Sequence, residues 1–105
     1  MTNAQHQHFA SLARAIAETR DQSAFAELFD YFAPRINAYL RRLSLDSGQA
    51  EEITQEVMMV LWHKATQFDP AKSSLGTWLF RIARNRRIDL VRRDRSDLLD
   101  PDDPV

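Results

Sequence analysis

The chain has 105 residues, 44% hydrophobic and 28% charged, with a formal net charge of −1 and no cysteine. That size and balance suit one folded domain and leave no room for two, while the lack of cysteine excludes disulfides, thiolate metal sites and cysteine nucleophiles together and agrees with a reducing compartment. No apolar run approaches the roughly 20 residues of a membrane span, and the first residues lack the basic-then-apolar order of a signal peptide, so a cytoplasmic protein without membrane contact is expected.

Residues 1–5 carry no apolar period and are expected to fray. His6 and His8 lack a third ligand, so no metal site is expected. From His6 to Thr19, Phe9, Leu12, Ala13 and Ile16 fall on one face of a short amphipathic helix. Asp21 or Ser23 can cap a second helix, whose stripe Phe25, Leu28, Phe29, Phe32, Ile36, Tyr39, Leu40 and Leu43 holds its period for about two dozen residues. Pro34 interrupts that stripe. A proline inside a helix removes an amide donor and crowds the preceding turn, so a kink or break is expected near residues 32–34.

Ser44 to Gly48 reads as a turn, with Asp46 or Ser47 as cap and Gln49 placed to close a capping box with Asp46. The third helix is expected from Gln49 to Gln67, turning Ile53, Val57, Val60 and Leu61 inward. Its other side offers Glu51, Glu52, Gln55, Glu56 and Met59, either a solvated stripe or a docking face for a basic partner. A loop from Asp69 to Gly76 follows, and Ser74 or Thr77 can cap a last helix reaching Arg95, with Leu79, Ile82, Ala83 and Leu90 inward. The expected core is Phe25, Leu28, Phe29, Phe32, Leu40, Ile53, Val57, Leu61, Leu79 and Ile82. No strand alternation or internal repeat is present, so the fold class is all-α, a compact bundle of about four helices.

The near-neutral total conceals a segregated charge. Residues 81–95 hold seven of the fourteen basic residues, and residues 96–105 hold four aspartates and no basic residue. Trp78, Phe80 and Asn85 lie among the arginines, placing flat rings and a base-reading amide beside cations that suit phosphates. Trp78 fits either the core or a wedge against nucleic acid. A Gly-rich phosphate loop and paired carboxylates outside the surface stripe are missing and the three histidines have no partner spacing, so an enzyme is not expected and no cofactor is implied.

Three strings in order, FAELFDYFAPRINAYLRR (25–42), AEEITQEVMMVLWHKATQFDP (50–70) and TWLFRIARNRRIDLVRR (77–93), resemble region 2 of bacterial extracytoplasmic-function (ECF) sigma factors. The resemblance covers Phe25 to Arg93. It implies that residues 1–95 form that domain and residues 96–105 an acidic, proline-containing linker, with the family's second, helix-turn-helix domain absent. By position it puts Glu52, Gln55, Glu56 and Leu61 at the face that docks on the β′ clamp helices of core RNA polymerase. It also implies a pocket for a base flipped from the promoter minus-ten element, formed by the loop and the start of the last helix and including Phe68, the Asp69 to Gly76 loop with Ser73 and Ser74, and Asn85, while Trp78 could be a wedge against the duplex end. Arg81, Arg84, Arg86, Arg87 and Arg92 match DNA-facing positions on the single strand and adjoining duplex. An anti-sigma factor is a further implied partner. The alternative is a sigma-like decoy that binds an anti-sigma factor without touching DNA, which would have no need of Asn85 among Arg84, Arg86 and Arg87.

Overall fold

A computed structural model describes residues 3–98. The order is α1 (Asn3–Thr19), α2 (Gln22–Arg42), α3 (Ser47–Lys64), a 3-10 turn (Ala65–Gln67) and α4 (Leu75–Leu98), with no strand among the described residues. The expected all-α bundle of four helices is therefore observed.

α1 starts at Asn3, three residues before the expected His6, so residues 3–5 are helical where fraying is expected. Phe9, Ala13 and Ile16 are buried and fix the helix, and Ala4, Gln5 and Gln7 extend it outward because their intrinsic cost in a helix is small. The Phe9 ring lies 4.7 Å from Tyr31 and 5.0 Å from Phe32 of α2, and His8 beside it pairs with Glu27. Arg20 ends the helix in the left-handed region at φ 53°, which an L side chain adopts only at a cost. Two contacts offset that cost. The Arg20 guanidinium donates to the carbonyl of Trp62 at the end of α3 and lies 5.6 Å from the centre of its ring.

Asp21 caps α2: its Oδ1 accepts from the amides of Ser23 and Ala24 at 3.0 Å and from the Ser23 hydroxyl at 2.7 Å. The expected break at Pro34 does not occur, since α2 runs through it as one helix. Pro34 is exposed, so water can serve the Asp30 carbonyl that lost its helical donor. Arg35 reinforces the spot by donating to the Tyr31 carbonyl at 2.7 Å, with its guanidinium 3.7 Å from the centre of the Tyr31 ring.

The chain reverses through Ser44, at φ 72°, and Asp46 opens α3 with the expected capping box. The Gln49 amide donates to Asp46 at 2.8 Å, and the Gln49 side chain accepts from the Asp46 amide at 3.4 Å. Ala50, Ile53, Thr54, Val57, Met58 and Leu61 form the buried stripe of α3, at successive steps of three, one, three, one and three residues. This phase corrects the expectation for Val60: it carries that residue to the flank and puts Met58 in the core instead. Thr54, the buried polar side chain, donates to the Ala50 carbonyl at 2.7 Å.

Leu28, Phe32, Leu40, Ile53, Val57, Leu61 and Leu79 are buried as expected, while Phe25, Phe29 and Ile82 are half-buried against them. Ile16, Ile36 and Met58 complete the interior. α4 continues through Leu98, into the stretch expected to be linker, while residues 99–105 lie outside the described residues. Its buried apolar side chains are Leu75, Leu79 and Ala83; Leu90 is half-buried, and Val91 to Arg95 are exposed. From Val91 on, α4 thus leaves the bundle, with Arg92, Arg93 and Arg95 in solvent.

Candidate nucleic-acid and protein interface

The loop before α4 is set by its own short-range bonds. Asp69 accepts from the Ala71 amide through its carboxylate at 2.9 Å and from the Lys72 amide through its carbonyl at 3.0 Å. Ser74 is the cap of α4: its Oγ accepts from the Thr77 amide at 3.1 Å and donates to the Thr77 hydroxyl at 3.0 Å. Ser73 and Ser74 are half-buried. The hydroxyl of Ser74 is therefore engaged in ending the loop.

From this root α4 lies against α3, and a groove of about 260 Å³ opens between them, lined by Val60, Lys64, Gln67, Trp78, Ile82, Asn85, Arg86 and Asp89. Two amides, one indole and both signs of charge share this small space. Trp78 is half-buried, part of the core and part of the groove wall at once, with its ring 5.6 Å from that of Phe68. Phe68 itself lines a different groove, with α1 and Pro70. The expected pocket is thus divided: Asn85 lines this groove beside Trp78, while Phe68, Ser73 and Ser74 do not. Gln67 and Lys64 do, and sequence reading does not single them out as site residues. Gln67 is eighteen positions before Asn85, and only the reversal through the loop joins them.

Along α4, Arg81, Arg84, Arg86, Arg92, Arg93 and Arg95 are exposed, and Arg86 lines the groove. Among the described residues none of them is ion-paired, so their charges remain available to an anion. Arg87 differs. It is half-buried, with Nη2 3.5 Å from the Leu43 carbonyl and a buried Nε that meets no acceptor.

Next to the first groove along α3, Glu52, Gln55, Glu56, Met59 and His63 line a second groove of about 470 Å³. Met59, half exposed, gives this acidic face an apolar centre. Glu51 holds Gln55 through a 2.9 Å bond from its amide. Leu61, expected at this face, is completely buried, so it supports the face from beneath and cannot touch a partner. Val60, Lys64 and Arg86 line both grooves. The acidic face and the arginine helix therefore adjoin.

These features define a helical domain with a small groove of mixed charge beside an acidic face, and with exposed arginines along its last helix. Residues 28–96 match the family Sigma-70 region 2. Similar curated proteins include the ECF RNA polymerase sigma factor RpoE of Cereibacter sphaeroides, 51% identical over 87 residues, or 83% of this chain and 48% of that protein. ECF RNA polymerase sigma factor SigK of Mycobacterium tuberculosis is 38% identical over 82% of this chain and 46% of its own length. Among solved structures, Rhodobacter sphaeroides SigE in complex with the anti-sigma ChrR superposes with a TM-score of 0.75 at 47% identity, covering 81% of this chain and 55% of that one. The chain therefore belongs to the sigma-70 region 2 family, as a region 2 domain of the ECF sigma factor type. It spans about half the length of the curated relatives it matches.

Proposed function

We propose that this domain serves transcription initiation by docking on core RNA polymerase and capturing an unpaired base of the promoter minus-ten element. The acidic α3 face with Glu52, Gln55, Glu56 and Met59 takes the β′ clamp helices, and the α3/α4 groove takes the base. One observation carries the reading: Asn85, Gln67 and Trp78 line one small groove beside arginines that form no ion pair among the described residues. An opened strand offers a free Watson–Crick edge, which a paired donor and acceptor on an amide can discriminate, and a π-face, which an indole can stack. The exposed arginines supply affinity with little sequence preference. An anti-sigma factor is a further partner in this reading, supported by the SigE relative solved with ChrR.

The test is a titration of single-stranded oligonucleotides, varied one base at a time and over several salt concentrations. Asn85→Ala is expected to lose discrimination at one position, worth about 1–3 kcal/mol, with the salt dependence unchanged. Arg84→Ala is expected to weaken all sequences alike and to lower the log–log salt slope by about 0.7 for each phosphate that is no longer neutralised. Equal weakening of every sequence by Asn85→Ala would refute the assignment of base reading to that residue. A sigma-like decoy would bind none of these strands at all, so the wild-type titration separates the two functions.

A further inference from the structure

We propose that Arg87 is a positioning residue, whose guanidinium closes the C-terminal end of α2 and fixes where α4 crosses it, and that it does not hold phosphate. The observation behind this is a split within one arginine run. Arg84 and Arg86 are exposed, and Arg87 beside them is half-buried with its Nε wholly enclosed. The carbonyls at the end of a helix lack internal donors and gather partial negative charge, which a cation there offsets. Leu43 is the C-cap of α2, and among the described residues no backbone amide reaches its carbonyl; the Nη2 of Arg87 lies 3.5 Å away.

The guanidinium edge formed by Nε and Nη2 is the one that grips a phosphate or carboxylate with two parallel bonds. In Arg87 that edge faces protein. Four residues before Leu43 on α2 and seven before Arg87 on α4, Tyr39 meets Phe80 edge-on at 5.3 Å. Tyr39/Phe80 and Leu43/Arg87 are thus two successive fastenings on one seam, and two fastenings set a crossing angle where one leaves a pivot. Beyond Ala83 no apolar side chain of α4 from Arg84 to Arg95 is fully buried, so the half-buried Arg87, with Leu90 packed against the core, holds that part of the helix to the bundle.

The consequence for nucleic acid rests on the proposed reading of α4 as the DNA-binding helix, and the experiment keeps the two apart. Amide hydrogen exchange and salt-dependent binding of a labelled mixed-sequence single-stranded oligodeoxynucleotide are measured for wild type, Arg87→Met, Arg87→Lys and Arg84→Ala. Arg87→Met is expected to accelerate exchange at Leu43, Ser44 and Leu45 at least fivefold, and to weaken the oligonucleotide several-fold while the salt slope stays at the wild-type value. Arg87→Lys, which keeps a cation, is expected to restore part of the exchange protection. A slope lowered by about 0.7 with exchange at those three amides unchanged would make Arg87 an ordinary phosphate ligand and overturn the proposal. Unchanged exchange and unchanged binding would overturn it as well. If Arg87→Met does not fold, exchange in Arg87→Lys decides: intermediate protection supports the proposal, and wild-type protection refutes it. If Arg84→Ala leaves affinity and slope untouched, the DNA reading of α4 fails, and the exchange data still judge Arg87.

Discussion

Leu61 and Glu56 are five residues apart on one helix, and their substitutions should fail in opposite ways. Leu61 is completely buried, so Leu61→Ala removes packed apolar volume and is expected to cost about 2–5 kcal/mol. For a domain of this size that lowers the melting temperature by roughly 4–8 °C per kcal/mol. Polymerase binding should fall only as far as the folded fraction does. A melting curve beside a pull-down checks this: lost binding with an unchanged melting temperature would mean that Leu61 is exposed after all. Trp78 shows a third situation, in which one ring is shared between the interior and a groove. The alternatives of core and nucleic-acid wedge are both legible in its sequence context, and the half-buried ring is compatible with parts of each.

At the scale of the element, the helix starts are legible because their chemistry is local. Asp21, the Asp46/Gln49 pair and Ser74 all bond amides within three residues of themselves. Asp21 also yields a pH prediction. The Ser23 hydroxyl first, then the Ala24 amide, hold its carboxyl below the ordinary value of 3.8. Since the folded carboxylate is the stronger acid, its contribution to α2 is complete above that ordinary value and is lost as pH falls through the depressed one. The amide shifts of Ser23 and Ala24, followed by NMR, are expected to titrate below 3.8 and to stop titrating in Asp21→Asn. Titration at or above the ordinary value would contradict the cap geometry. Pro34 illustrates the converse: whether a proline breaks a helix depends on what surrounds the stranded carbonyl, and here exposure and Arg35 accommodate it. The phase of α3 shows the same limit. Val60 and Met58 are both apolar, and only the crossing of α2 and α3 decides which of them is inside.

For the molecule as a whole, the three ordered strings make the class legible, and the helix crossings make the site. No spacing rule joins Gln67 to Asn85, or distinguishes Arg87 from Arg86. The adjoining grooves also alter what charge reversal should do. Glu52→Lys with Glu56→Lys is expected to abolish pull-down of core polymerase with little change in melting temperature, because Glu52 is exposed and the half-buried Glu56 forms no ion pair among the described residues. Because Arg86 borders the same groove, the added lysines should leave single-strand binding intact or tighten it at low salt. Wild-type pull-down in that variant would reduce the acidic stripe to solvated surface. The wall made by Val60, Lys64 and Arg86 has a thermodynamic corollary. An occupant of either groove touches side chains that line the other, and equilibrium coupling between two ligands is reciprocal. If seating a protein on α3 tightens an oligonucleotide on α4 tenfold, about 1.4 kcal/mol, then that oligonucleotide must retain the protein tenfold more firmly in return.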